Sequence, residues 1–151
     1  MSEQQDTATR DEGVHAALLF HYADLLVKRG RQDEAMDRLT QAADIYERLG
    51  DVREKAATLF TIAQVHLARE AYPEAMDGLA QAYAIMEGLQ EAQGLAHVGR
   101  LYGPLLCAAG EGVRGRAVLE KAAGAFALLG QDDAAQAIKK IIREIQGAEP
   151  G

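Results

Sequence analysis

Tryptophan is absent from these 151 residues, aromatics reach only 5%, and there is a single cysteine, Cys107. One thiol excludes an internal disulfide framework and suits a reducing compartment, so a cytoplasmic location is the expectation. Prolines number three and β-branched residues are sparse, which argues against a sheet. Serine is almost missing, and no nucleophile–base arrangement stands out. No apolar run approaches the roughly 20 residues of a membrane span. The polar opening MSEQQDTATRDEG also lacks the apolar core of a signal peptide. Positive charge is short as well: 16 Lys and Arg stand against 23 Asp and Glu, for a formal net charge of −7. That balance disfavours nucleic acid or an anionic membrane surface as the main partner.

What is present is alanine, leucine and a period. Apolar residues make up 48% of the chain, the composition of packed helices with small residues at close contacts. DEAMDRLTQAADIYERLGD begins at Asp33, PEAMDGLAQAYAIMEGLQE at Pro73, and a weaker copy, VRGRAVLEKAAGAFALLGQ, at Val113. Leu39, Leu79 and Leu119 fall in one register, as do Ala42, Ala82 and Ala122. An unbroken period of this kind marks a chain built by stacking one supersecondary unit, an architecture that presents a surface for another molecule.

Along the chain, residues 1–12 are polar and aperiodic and read as a disordered lead-in. From Val14 the apolar positions Ala17, Leu18, Tyr22, Leu25 and Leu26 recur at helical spacing as far as Gly30, a left-handed helix cap. Asp33 then suits the N-cap of a second helix carrying Ala35, Met36, Leu39, Ala42, Ala43 and Tyr46. A second hairpin follows, with Pro73 in the first turn of its second helix, where proline costs little. The third repeat holds eight of the chain's fifteen glycines and Pro104. Each glycine in a helix interior costs about 1 kcal/mol relative to alanine. That repeat therefore reads as looser, with a kink near Gly103 and Pro104 and the place where shape would change on binding. Residues 132–146 carry an apolar stripe opposite Lys139, Lys140, Arg143 and Glu144 and read as a capping helix; 147–151 read as a frayed tail.

At Ala23, Gly30, Ala35, Leu39 and Ala42 the chain resembles the tetratricopeptide repeat family. The match continues through Ala63, Tyr72, Ala75, Leu79 and Ala82, with Glu70 in place of the turn glycine. It extends to Gly103, Gly110, Gly115, Leu119 and Ala122. The family's usual period is thirty-four; the forty seen here looks like its longer-helix variant, found in kinesin light chains. The resemblance implies an all-α, right-handed α-solenoid over residues 13–146, with repeats at about 13–50, 51–90 and 91–130 and a concave face lined by the first helix of each repeat. It also implies a non-enzymatic protein-interaction adaptor without cofactor.

Helical spacing places candidate groove residues on those first helices: Phe20, Asp24 and Val27; Phe60, Gln64 and Leu67; His97, Arg100 and Pro104. Phe20 and Phe60 stand one period apart and are expected to form an apolar strip for a helical or extended partner segment. The alternative is that both rings are core residues between repeats. A carboxylate clamp fits poorly, since Arg100 is the one cation among these positions. His15, His21, His66 and His97 lack metal-ligand spacing, and Cys107 reads as a small apolar filler. Two other readings stay open, a secretion-type chaperone and a regulatory module that binds a GTPase or NTPase switch domain through loop residues such as Arg114 and Arg116. Homodimerisation is open too, because the residues do not say whether the lead-in or another copy covers the first helix.

Overall fold

The computed structural model describes residues 2–148, and all seven elements within them are α-helices. They are α1 (Glu3–Lys28), α2 (Gln32–Leu49), α3 (Val52–Ala68), α4 (Tyr72–Leu89), α5 (Ala92–Ala108), α6 (Gly112–Leu128) and α7 (Asp132–Ala148). The chain packs as two compact bodies that divide between Ala82 and Tyr83.

One backbone device ends each helix that is followed by another. Residues 30, 50, 70, 90, 110 and 130 all have positive φ, between 53° and 90°, so the half-period is twenty residues. At each joint the amide of the following residue donates to a carbonyl five residues back. These bonds include Arg31 to Leu26 at 2.9 Å, Ala71 to His66 at 2.8 Å and Gln131 to Phe126 at 2.9 Å. The positive-φ residue itself donates three residues back, as from Gly30 to Val27 at 3.0 Å. This is the Schellman pattern, which satisfies carbonyls that the helix end would otherwise orphan. The next residue then opens the following helix: the carbonyl of Arg31 accepts from Ala35, and that of Asp51 from Lys55.

Helix start points follow from these joints. The N-cap of α2 is Arg31, because it directly follows the left-handed Gly30; Asp33 lies inside the helix and is paired with Arg69 at 2.6 Å. Asp51 does cap α3, its Oδ1 accepting from the Glu54 amide at 3.2 Å. Pro73 occupies the second position of α4, where no intrahelical donor is missed.

The lead-in expected at residues 1–12 is helical from Glu3. Ser2 and Gln5 form a capping box, and Glu3 and Asp6 complement the dipole of the first turn. Further along the helix, Arg48 of α2 reaches Glu12 at 3.6 Å. The tail expected at 147–151 is helical as far as Ala148; its last three positions lie outside the described residues.

The core is written in the repeat register. Ala16, Ala56 and Ala96 are buried, as are Leu39, Leu79 and Leu119, and so are Tyr46, Met86 and Phe126. In the N-terminal body, Ala23, Leu26, Ala35, Leu39 and Val65 form one cluster joining α1, α2 and α3. In the C-terminal body, Ala96, Leu119, Ala122, Phe126, Ala135 and Ile138 join α5, α6 and α7. The outward side of α7 presents Lys139, Lys140 and Arg143 to solvent.

The third repeat is not loosened by its glycines. α5 runs through Pro104 without a break. A Cβ on Gly103 would stand 2.5 Å from the Leu119 side chain, and one on Gly115 would stand 2.7 Å from the Gly103 carbonyl oxygen. A Cβ on Gly99 would meet that of Ala122 at 3.0 Å. Glycine here lets two helix backbones approach more closely than alanine would allow, so α5 and α6 form a tight pair.

Candidate partner-binding site

In the N-terminal body, α1 and α3 each present one face built from three of the expected positions. Phe20, Asp24 and Val27 are spaced i, i+4, i+7, and so share a side of α1; Phe60, Gln64 and Leu67 repeat that spacing on α3. Phe20 and Val27 are half-buried and pack with Met36 and Ile62 against the cluster formed by Ala23, Leu26, Ala35, Leu39 and Val65. Ile62 and Val65 belong to α3, so one apolar cluster takes in residues of both helices together with α2. Phe60 and Leu67 are likewise half-buried, while Asp24 and Gln64 are exposed. Asp24 is paired with Lys28 at 2.9 Å, one turn along the same helix. The ring of Phe20 meets His21 edge-on, with centroids 5.8 Å apart. Phe20 is thus both a core contact and a surface group.

The C-terminal body holds the other three positions, on α5. His97 stands edge-on to Phe126, with ring centroids 5.2 Å apart, and the guanidinium of Arg100 lies 5.9 Å from the centre of the same ring. Burial, and then the neighbouring charge of Arg100, hold the His97 imidazole below the usual histidine range. Pro104 is half-buried. His97, half-buried, and Arg100, exposed, are therefore gathered around an aromatic ring of α6. Phe126 is the residue that sequence reasoning missed. Its signal was present in its register with Tyr46 and Met86, which marks the same buried spot on the second helix of each repeat.

Other singled-out residues have structural surroundings. The Cys107 sulfur lies 3.9 Å from the Gly112 carbonyl oxygen, and a Cβ on Gly115 would meet it at 2.5 Å, so the thiol fills a seam between α5 and α6. Arg114 lies 5.6 Å from the centre of the Tyr102 ring and 3.8 Å from Glu111. Among the described residues no group of three or more His, Cys, Asp or Glu is placed to hold a metal ion. No described helix is long and apolar enough to cross a membrane. No buried side-chain nitrogen or oxygen among them lacks a hydrogen-bond partner, so no orphaned polar group points to a buried ligand.

Comparison with known proteins supports the fold. The chain is similar in fold to the TPR-like repeats of a protein assigned as a kinesin light chain from Podosopora anserina. That likeness has a TM-score of 0.59 at 20% identity and covers 87% of this chain and 74% of the other. A form of the same protein carrying one substitution gives the same figures. BtubC (BKLC) from P. vanneervenii gives a TM-score of 0.60 at 16% identity, covering 90% of this chain and 66% of that one. At these identities the likeness establishes the fold. No curated protein matches the chain. The family model described as Tetratricopeptide repeat matches residues 13–88, half of the sequence, and the protein belongs to the tetratricopeptide repeat family.

Proposed function

We propose that this protein is a non-enzymatic adaptor that holds an amphipathic helix or extended apolar segment of a protein partner against the exposed sides of α1 and α3. Repeats of this family serve protein–protein interaction, and the acidic chain, at a net charge of −7, is poorly suited to nucleic acid or an anionic bilayer. The observation that carries the reading is the repetition, forty residues apart, of a half-buried ring, an exposed polar group and a half-buried aliphatic: Phe20, Asp24 and Val27, then Phe60, Gln64 and Leu67. Half-buried apolar groups on a rigid framework are good anchors, because little conformational entropy is lost when a partner covers the rest of their surface. Asp24 and Gln64 would set the orientation of the bound segment. The single cysteine fits a cytoplasmic setting.

The test uses the full chain and amphipathic peptides selected against it by display. A Phe20→Ala, Phe60→Ala variant should bind the selected peptides at least about tenfold more weakly, a loss near 1.4 kcal/mol. Phe20 also contacts the core, so an Asp24→Lys, Gln64→Lys variant, altered only at exposed sites, serves as the folded control and should weaken binding as well. If both variants keep the wild-type helical circular dichroism and the wild-type affinity, the α1–α3 face is not the binding site.

A further inference from the structure

α1 carries a second apolar stripe, on a different side from Phe20 and Val27. Val14, Leu18, Tyr22 and Leu25 are all exposed, Leu18 at 63% and Leu25 at 54%. Helical periodicity alone groups Leu18, Tyr22 and Leu25 with the buried face; the residues of α1 that are buried are Ala16, Ala23 and Leu26. One repeat further on, the equivalents of Leu18 and Leu25 are Thr58 and Val65, exposed at 0% and 3%. Val65 is closed off by packing against Leu26 and Leu39 of the hairpin that precedes it. The stripe on α1 is thus the same kind of surface, covered in the described structure only at Tyr22, where the guanidinium of Arg38 from α2 lies 5.9 Å from the ring centre. Its extent, on the order of a few hundred Å², is of the size at which an apolar patch on a soluble domain marks an interaction site.

The charges along the stripe point to one occupant. Asp11 and Arg29 are both exposed and are separated by eighteen residues. At 3.6 residues per turn that is five full turns, and Arg29 is the C-cap directly after Lys28, so the two stand near one line along the helix, about 27 Å apart. They bracket the apolar four, and the midpoint between them is position 20, about which Leu18 and Tyr22 are symmetrically placed. Lys28, the other cation at that end, is taken up by Asp24 within its own helix at 2.9 Å. A line that reads acid, apolar, base is self-complementary when two copies run antiparallel. Asp11 of each then faces Arg29 of the other, while Leu18 of each faces Tyr22 of the other. We propose that the outer face of α1 is covered by α1 of a second copy of this chain, in a two-fold antiparallel pair with its axis level with Phe20. Such an isologous contact closes on itself and leaves no free end to propagate. It uses a different side of the helix from the proposed partner site, so the two readings stand or fall separately.

Sedimentation equilibrium of the full chain tests this. A dimer is expected at roughly 100 µM chain, with dissociation in the micromolar range. Leu18→Glu should leave a folded monomer, since the residue is already exposed and its loss removes no core contact. Asp11→Arg alone, or Arg29→Asp alone, places like charges opposite each other and should weaken the dimer about tenfold; the double variant should recover most of that loss, because the pair is only exchanged. A monomeric wild type overturns the proposal, as does a dimer that Leu18→Glu leaves intact. Single charge reversals without rescue in the double variant overturn the antiparallel pairing.

Discussion

At Gly115 there is no room for a methyl group. Its Cβ would stand 2.7 Å from the Gly103 carbonyl oxygen and 2.9 Å from the Cys107 amide nitrogen, both backbone atoms that move only with their helix. Gly124, further along the same α6, would place a Cβ in open space. Gly115→Ala should therefore destabilise the fold by about 2 kcal/mol through overpacking, whereas Gly124→Ala should stabilise it by about 0.5–1 kcal/mol through backbone entropy. Urea unfolding of the two variants checks the pair, and equal shifts of the same sign would refute the distinction. By sequence both residues have the same propensity, since propensity is a local property. Whether a glycine weakens a helix or admits a neighbour depends on a second helix. This is why the third repeat reads as loose in sequence and is tight in structure.

Among the helices, the joints show which local signals carry over into structure. Four of the six left-handed positions are glycines, and Gly30 and Gly110 were legible as turn residues from their place in the repeat. The other two are Glu70, at φ 59°, and Gln90, at φ 53°. A side chain in that region crowds the following carbonyl, at a cost of roughly 1 kcal/mol that glycine avoids. Glu70→Gly and Gln90→Gly should each stabilise the protein by about that amount and raise the melting temperature by about 2–4 °C for a chain of this size. A calorimetric scan in which neither variant melts higher would show that these joints are unstrained. The start of α2 was less legible. Asp33 is a good cap by residue type, but the joint itself fixes the cap at the residue after Gly30, and geometry outranks preference. The residues of the candidate site were legible by period, since Phe20 and Phe60 share one register. The contact of His97 and Arg100 with Phe126 was not, because it joins two helices across a turn.

For the whole chain, the period carried the architecture into the sequence: seven helices among the described residues, a core of alanine and leucine in register, and a polar outer side on α7. The outer stripe of α1 was not legible, because an apolar line on one helix looks the same whether a neighbour covers it or not. The spacing of the joints also makes the chain divisible. Removing residues 51–90 would join Gly50 to Glu91, and these two already play the roles of left-handed residue and helix opener in their own joints. Removing residues 51–70 would also make a sound joint, from Gly50 to Ala71, but it would set α4 where the packing calls for a helix of the α3 type. The forty-residue excision should keep its helicity per residue and melt cooperatively, and the twenty-residue excision should not; circular dichroism melts that fail to separate them would refute this. Length in such a chain is therefore quantised: the protein can be shortened or extended by whole repeats, and by no smaller step.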